Sequence, residues 1–241
     1  MPSVPASSRS ALALSLVALS ALASSQPRRP PRNRPTRTPV TAPVAPAAPV
    51  AAPVTLDALL RRFAAVPGLH ARFREEKRVQ LLAAPLVSEG TLDYAPPSRL
   101  VRRTATPAPS TVLIEGSHLR FGDGRGEQSI DMNATPVVRQ FVDSFLALVA
   151  GDRAALERSY EIDFRVPDAQ RPEAWTLTLR PRVATIQRVF RDIELRGAGV
   201  ILDAMTLRET SGDETSTRFT EVDAARRYAP DEAARVFRLS P

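Results

Sequence analysis

Residues 175–180 have the sequence Trp-Thr-Leu-Thr-Leu-Arg, in which apolar and polar side chains alternate. In a β-strand, successive side chains point to opposite faces, so this pattern predicts a strand with one buried face and one solvated face. The same alternation occurs from Ile162 to Val166 and again from Leu69 onward. Strands of this kind are typical of an antiparallel sheet that has its core on one side. The sequence therefore predicts a sheet that is covered on one face.

Further short apolar runs extend this sheet on both sides of the quoted stretch. Glycine, proline or polar turn signals separate the runs, which is typical of antiparallel strands joined by tight turns. The predicted strands lie at 69–73, 90–94, 100–103, 112–114, 119–121, near 130, 162–166, 175–179, 193–195, 201–207 and near 219. A sheet of this many strands is expected to curl.

Two segments depart from the two-residue period and predict helices. Thr55 can cap a short first helix. Thr135, with Pro136 at the first helical position, begins a second helix whose apolar residues recur every three or four positions until Gly151. Asp152 can cap a shorter helix that follows. We therefore expect an α+β fold, a curled antiparallel sheet whose concave side is filled or lidded by the second helix.

The first 54 residues differ in composition from the remainder. Arg9 precedes a thirteen-residue apolar run that ends in the small residues of Ala21-Leu22-Ala23, which is typical of a cleavable export signal over residues 1–23. Residues 24–54 contain five arginines and no acidic residue among Pro, Ala, Val and Thr, so they cannot bury a core. We expect these residues to form a disordered tether, followed by a periplasmic domain over residues 55–241.

Most of the net charge of +7 lies outside the predicted domain. Arg9 and the five tether arginines account for six positive charges, and the remaining 27 basic residues nearly balance 26 acidic residues. A nucleic-acid-binding domain would concentrate positive charge on one folded face, so the composition does not favour that class. The tether arginines can contact anionic lipid or the cell wall, or they can belong to a solvated spacer.

The sequence offers few candidates for catalysis or metal binding. The chain has no cysteine, which excludes disulfides, thiolate metal ligands and a cysteine nucleophile. Its two histidines, His70 and His118, are too few for a multi-histidine metal site, and no Gly-x-Ser-x-Gly elbow is present. The glycines of residues 122–126 lack the Lys-Ser/Thr of a phosphate loop and predict a hairpin turn. We therefore expect no enzymatic activity, no metal and no cofactor.

Several stretches, taken in order, resemble the periplasmic lipoprotein-carrier (LolA-like) proteins, and more closely a shorter LolA-related branch. They are LHARFREEK at 69–77, APLVSEGTL at 84–92, PPSRL at 96–100, AGDRAALER at 150–158, WTLTLRPR at 175–182 and the turn at 209–213. The resemblance implies an α+β fold, a half-open, unclosed antiparallel β-barrel with a helical lid or plug. Its hydrophobic interior would receive acyl chains from an inner-membrane exporter and deliver them to an outer-membrane acceptor.

The residues expected to line that interior are apolar residues of the strands and of the second helix. They are Leu92, Leu100, Val112, Ile114, Phe121, Phe141, Phe145, Leu148, Phe164, Trp175, Leu177 and Ile193. Core packing and ligand lining need the same residue types, so the sequence leaves the role of each one open. Their collective excess favours a cavity.

The sequence differs from the family pattern at the arginine that pins the lid helix, which we call the lid latch. Lipoprotein carriers of this family have an arginine directly before the proline that matches Pro97, and that arginine pins the lid, whereas this chain has Pro96 there. Arg99, Arg102 or Arg103 can replace it by bonding helix C-terminal carbonyls or a passenger headgroup, or can be an ordinary solvated strand arginine. Arg102 also stands where the family has an aromatic residue, which suggests a different passenger.

Two functions follow from these observations. The first is a monomeric, non-catalytic periplasmic carrier that shelters the acyl chains of a lipoprotein or lipid-like product. The second is a lipid-sensing or interaction domain of the same fold that regulates an envelope protein. An enzyme acting on lipids is disfavoured, because the nucleophile and metal constellations that it would need are missing.

Overall fold

The computed structural model describes residues 53–239, without the side chains of Asn133, Pro136, Val137 and Phe141. The strands are β1 (Leu69–Arg78), β2 (Leu86–Ala95), β3 (Arg99–Thr106), β4 (Ser110–Glu115), β5 (His118–Asp123), β6 (Gly126–Asp131), β7 (Tyr160–Arg165), β8 (Ala174–Pro181), β9 (Phe190–Ala198), β10 (Ile201–Glu209) and β11 (Glu214–Asp223). The helices are α1 (Leu56–Ala64), α2 (Pro136–Val149), α3 (Arg153–Ser159), α4 (Ala184–Gln187) and α5 (Pro230–Val236). The predicted signal segment, 1–23, and the predicted tether up to residue 52 lie outside the described residues.

The strands form one antiparallel sheet in the order β6-β5-β4-β3-β2-β1-β11-β10-β9-β8-β7. Its central pairing is between β1 and β11, which joins the strands that precede α2 to the strands that follow it. The edge strands β6 and β7 do not pair with each other, so the sheet is not closed. The prediction of an unclosed antiparallel sheet with a few helices is confirmed. Among the described residues, no helix is both long enough and apolar enough to span a membrane.

The order of the strands explains why helices cover one face of the sheet. β6 and β7 follow one another in the chain but lie at opposite edges, so the segment between them must cross a face. That segment contains α2 and α3, and α2 also contacts α1 and α4. We call the face that α1, α2 and α3 cover the inner face and the opposite face the outer face.

Local sequence signals fix the ends of these helices. The hydroxyl of Thr55 accepts a hydrogen bond from the backbone N–H of Ala58 (3.2 Å), and the carboxylate of Asp152 accepts one from Ala155 (2.9 Å). Thr135 occupies the position before α2, as predicted, but its side chain makes no capping bond. Both side-chain caps therefore hold helices that pack near the end of α2.

Gly151 permits the tight turn between α2 and α3. Its φ is +70°, a conformation that side chains disfavour, and a Cβ atom there would lie 2.5 Å from the carbonyl oxygen of Leu60 in α1. The absence of a side chain therefore lets α1 pack directly against the end of α2.

The core of the inner face is divided into two apolar clusters. The β7–β10 cluster lies under α1, α3 and the end of α2 and contains Val54, Leu59, Leu60, Leu148, Leu156, Tyr160, Trp175, Leu177, Leu179, Ile193 and Leu195. The β3–β6 cluster lies under the first part of α2 and contains Val112, Ile114, Leu119, Phe121, Met132, Val138 and Val142. Val54, the last residue of the predicted tether, is thus buried.

A third, smaller cluster lies on the outer face. Ala233 and Phe237, from α5 and the residue after it, pack on Val101 and Leu113 of β3 and β4. The ring of Tyr228 meets that of Phe237 edge to face at 5.1 Å. The C-terminal segment therefore covers the outer face opposite the β3–β6 cluster.

Candidate functional site

The candidate lining residues all lie on the inner face or on α2, in two groups. The β3–β6 cluster contains Val112, Ile114 and Phe121, with Leu100 packed against it. The β7–β10 cluster contains Leu148, Trp175, Leu177 and Ile193, with Phe164 packed against it. Phe141 belongs to α2, but its side chain is outside the described part of the chain.

Leu92 and Phe145 lie between the two groups. Leu92 on β2 stands opposite Ala71 of β1 and Arg102 of β3. Phe145 on α2 meets the ring of Tyr94 edge to face, with centroids 6.4 Å apart. The predicted residues therefore follow the inner face across its whole width.

The helices already cover these apolar residues. Leu177 and Trp175 are 0% and 2% exposed, and the ring of Phe63 in α1 packs edge to face on Trp175 at 5.8 Å. The indole N–H of Trp175 donates to the carbonyl of Gly199 at 3.0 Å. A ligand that used this surface would have to displace the helix side chains that now occupy it.

A strip of buried polar residues separates the two clusters. It follows the inner face of β1, where Glu75 and Lys77 continue the alternation of Ala71 and Phe73 and are also buried. The remaining members, on β2, β3, β10 and β11, are the buried Ser88, Thr104, Thr215 and Thr217 and the partly buried Arg102 and Glu209. We call these residues the inner polar strip.

Glu75 is the centre of the inner polar strip. Its carboxylate accepts hydrogen bonds from Arg102 at 2.9 Å, from the hydroxyl of Thr217 at 3.1 Å and from Ser88 at 3.4 Å. The ammonium group of Lys77 donates to Glu209 at 2.8 Å. Buried charges are tolerated when they are paired and hydrogen-bonded in this way.

Arg102 introduces a positive charge among apolar neighbours. Its guanidinium lies over the ring of Phe73 at 4.2 Å, and the register places it opposite Leu92 and Val112 on the adjacent strands. Burial lowers the pKa of Arg102, and the nearby Glu75 opposes that shift. Arginine keeps its charge even so, because its ordinary pKa lies far above neutrality.

An open groove of about 610 Å³ lies beside the edge strand β7. Leu56, Ile162 and Phe164 line it and also pack against the β7–β10 cluster. Tyr160 and the charged side chains of Arg153, Glu157, Glu161 and Arg182 complete its lining. The groove is thus a place where this cluster reaches the molecular surface.

Residues 47–239 match a family model described as "Outer membrane lipoprotein carrier protein LolA-like". The chain belongs to this LolA-like family. The resemblance that the sequence stretches suggested is therefore confirmed, and proteins of this family are carrier or binding proteins. Among curated proteins, none matches the chain.

Several solved structures are similar to this LolA-like chain. A LolA superfamily protein from Nitrosomonas europaea is 10% identical, with 77% of this chain and 98% of that one covered and a TM-score of 0.40. The lipoprotein LppX of Mycobacterium tuberculosis is 11% identical, with coverage of 69% and 94% and a TM-score of 0.39. MucB is 18% identical, with coverage of 76% and 62% and a TM-score of 0.42. Another structure contains MucB in complex with MucA.

The structure separates the three candidates for the LolA-like latch. Arg102 lies on the inner face, whereas Arg99 and Arg103 point to the outer face. There, Arg99 lies 5.2 Å from the ring centroid of Phe237, and Arg103 donates to the backbone carbonyl of Val236. Arg103 thus bonds a helix C-terminus, but the helix is α5 and not α2, the predicted lid.

The apolar alternation of the sequence does not mark the polar residues of the inner face. Glu75 and Lys77 stand two and four positions after Phe73, so strand parity alone assigns them to the same face as Ala71 and Phe73. Parity also separates Arg102, which shares a face with Leu100, from Arg99 and Arg103. The signal was present, but a charged residue in an amphipathic strand is usually assumed to face water.

Asp93 is the centre of a second polar network, on the outer face. Its carboxylate is 2.7 Å from Nδ1 of His70 and accepts a hydrogen bond from the hydroxyl of Tyr228 at 2.9 Å. Arg103 is 3.7 Å away. Burial, together with Asp93, raises the pKa of Tyr228. These contacts attach the C-terminal segment to β1, β2 and β3.

Proposed function

We propose that this LolA-like protein is a non-catalytic carrier that shelters the acyl chains of a lipoprotein or lipid-like product. The observation that carries the proposal is the inner face, where two apolar clusters lie under short helices instead of a second sheet. Such helices can move away and leave an apolar surface that an acyl chain can occupy. Family membership supports the same function.

The passenger and the helices compete for one surface in this proposal. Burial of an acyl chain contributes about 0.8 kcal/mol per CH₂, so a sixteen-carbon chain gains roughly 12 kcal/mol before any cost. Part of that gain is spent in removing α2 from the β3–β6 cluster, which lowers the net affinity. A carrier that must later release its passenger benefits from this loss.

The groove beside β7 is the proposed entry for an acyl chain. Leu56, Ile162 and Phe164 offer apolar contacts at the surface and lead to the β7–β10 cluster. Arg153 forms ion pairs with Asp57 of α1 (2.8 Å) and with Glu157 (2.7 Å), which raise its pKa. Of these two exposed pairs, the one with Asp57 joins α1 to α3, and an exposed pair contributes little to holding the helices together.

Arg102 is the proposed contact for a polar group of the passenger. Of the three latch or headgroup candidates, it is the one that faces the interior between the clusters. An anionic headgroup could take the place of Glu75 beside Arg102 and keep the charge paired. We therefore expect the passenger to have an anionic group where its acyl chains are attached.

The proposal also includes the route and the compartment. The export pattern in residues 1–23 suggests action in the periplasm, where the protein would act as a monomer. It would collect its passenger from an inner-membrane exporter and deliver it to an outer-membrane acceptor. No chemical step is needed for this transfer.

Native mass spectrometry of protein purified from the periplasm, followed by organic extraction, tests the proposal. A stoichiometric acylated species in the spectrum would support a carrier and would identify its passenger class. A protein that is empty and also refuses offered lipids and lipopeptides would contradict the proposal, and it would favour the regulatory alternative.

A further inference from the structure

The turn between β1 and β2 presents an apolar surface to solvent. Its residues 81–85, Leu-Leu-Ala-Ala-Pro, are all exposed. In the part of the chain that the structure describes, Leu81 and Leu82 are the exposed large hydrophobic residues, at 95% and 49%. Scattered exposed apolar residues are common, but a continuous exposed run of this length usually has a function. We call residues 81–85 the β1–β2 tip.

The base of the tip is held in place. The backbone N–H of Leu82 donates to the carbonyl of Val79 at 2.9 Å, which closes a turn. The N–H of Gln80 donates to the carboxylate of Asp213 at 3.1 Å. The side chain of Gln80 packs so closely on Gly212 that a Cβ atom there would lie 2.0 Å from it. The two leucines are therefore presented by an anchored hairpin.

Unpaired arginines share the rim of the sheet with the tip. Because the strands are antiparallel, the end of β1, the end of β8 and the start of β9 lie at the same rim of the sheet. Arg182 follows β8 and Arg188 precedes β9, so both lie at this rim. Arg78, Arg158, Arg182 and Arg188 are exposed there and have no ion-pair partner within residues 53–239. Strands are about 4.8 Å apart, so Arg188 is about 14 Å from the tip along the rim.

One acidic residue beside the tip, Asp213, accepts the Gln80 hydrogen bond and keeps its negative charge. On the opposite rim, Arg165 and Arg171 each form an ion pair with a nearby aspartate, whereas Arg227, after β11, is exposed and has no ion-pair partner among the described residues. The rim that carries the apolar tip therefore has four exposed arginines without an ion-pair partner in the described part of the chain.

We propose that the β1–β2 tip inserts into the surface of an anionic lipid bilayer. Leu81 and Leu82 enter the boundary between headgroups and acyl chains, and the rim arginines contact the phosphates. Apolar insertion combined with cationic contacts is the usual basis of reversible binding at a membrane surface. The inference concerns docking alone and does not depend on whether the protein carries a passenger.

The absence of cysteine from the chain makes a direct test possible. A Leu81→Cys variant can be labelled at one position with the environment-sensitive fluorophore nitrobenzoxadiazole. Ala169→Cys, in the exposed β7–β8 loop on the opposite rim, provides the matched control. The probe is a vesicle of phosphatidylethanolamine and phosphatidylglycerol, compared with a vesicle of phosphatidylcholine alone.

We expect the label at position 81 to shift to shorter wavelength with anionic vesicles and much less with neutral ones. The label at position 169 should not respond. A position-81 label that does not shift with anionic vesicles would overturn the proposal, and so would equal shifts at both positions, which indicate adsorption without orientation.

A binding measurement separates the apolar and cationic contributions. Leu81→Asp/Leu82→Asp should lower the partition coefficient for anionic vesicles by about tenfold or more, because two leucine side chains lose their burial. Arg182→Gln/Arg188→Gln should lower it several-fold at low salt and less at high salt. Ala169→Asp should leave it unchanged. Every variant has the same N-terminal segment, so any affinity of that segment for the vesicles contributes equally to each partition coefficient. Equal partition coefficients for all variants would refute insertion of the tip.

Discussion

Arg102 and Glu75 are charged residues in a place where apolar side chains would also fit. The guanidinium of Arg102 lies over the ring of Phe73, its strand position is opposite Leu92 and Val112, and the carboxylate of Glu75 accepts hydrogen bonds from three donors. Buried ion pairs seldom add stability over apolar residues of the same size. In the proposed function, the place of this pair on the inner face lets Arg102 contact a polar group of the passenger.

The pair allows a prediction about stability. Arg102→Gln should lower the free energy of unfolding by about 3 kcal/mol, because Glu75 is left as an uncompensated buried charge. The double variant Glu75→Gln/Arg102→Gln should lose clearly less than the single variant. Urea denaturation monitored by circular dichroism measures both.

The exposed pair formed by Arg74 and Glu89 offers the control, since it lies on the outer face of the same strands β1 and β2. Arg74→Gln should change the free energy of unfolding by less than about 0.5 kcal/mol. If the Arg102 and Glu75 variants prove additive, the two residues are not coupled and the interpretation of the inner polar strip is wrong.

Gly151 is the residue on which the packing of α1 against α2 depends. Gly151→Ala combines a φ of +70° with a Cβ contact of 2.5 Å to the Leu60 carbonyl, so we expect a loss of about 2 kcal/mol or more. Gly124→Ala is the matched control, because a Cβ at Gly124 meets no atom within 4 Å. Thermal unfolding should show a clear decrease for the first variant only; equal melting temperatures would contradict the role of Gly151.

Among the elements, the strands were predicted well where their pattern was apolar on one face. β7 and β8 agree with the alternation from Ile162 and from Trp175 within a few residues. β1 was predicted for its apolar half, although its inner face continues through Glu75 and Lys77. Periodicity therefore located the strand but underestimated how far its buried face extends.

The short elements were harder to predict, for a physical reason. α4 has four residues, too few for one apolar period, and it forms because Ile186 is fully buried. The start of α2 was predicted from Thr135 and Pro136, yet the threonine hydroxyl does not cap it. Tertiary packing, which a single sequence does not display, determines such details.

The element that decides the proposed function is α2. Phe145→Glu places a carboxylate between α2 and Tyr94, where an acyl chain would lie, so we expect the folded variant to lose its passenger. Ala150→Glu adds the same charge at the exposed end of the helix and should retain it. Lipid extracted from equal amounts of each protein is the measurement. A folded Phe145→Glu protein with undiminished lipid would contradict the model of α2 as a lid.

The inner face of the sheet is one continuous surface with three regions, two apolar and one polar. The β7–β10 cluster and the β3–β6 cluster are apolar, and the inner polar strip lies between them. The sequence predicted the apolar positions, because the alternation within a single strand shows which of its residues share the buried face. It did not reveal the division, because β1, β3 and β11 come together only after the chain has folded.

The three tyrosines of the chain report on three separate regions of this molecule. Tyr94 lies under Phe145 of the lid, Tyr160 is buried in the β7–β10 cluster, and Tyr228 attaches the C-terminal segment to Asp93. Burial raises the pKa of each one above its ordinary value of 10.0, with Asp93 adding to the effect at Tyr228.

These shifts predict how the protein responds to alkali. The folded state holds the three protons more tightly than the unfolded chain, so their contribution to stability is complete below about pH 10 and is lost as the pH rises above it. Absorbance at 295 nm should show little tyrosinate at pH 10 in the folded protein, whereas the urea-unfolded chain should be half ionised there. In Tyr160→Phe/Tyr228→Phe, Tyr94 is the remaining tyrosine. If α2 is the cover that opens most easily, Tyr94 should ionise in this variant at a lower pH than that at which the other two tyrosines ionise in the wild-type protein. If Tyr94 ionises only together with global unfolding, α2 does not open independently, and the proposed competition between α2 and a passenger for the inner face would be contradicted.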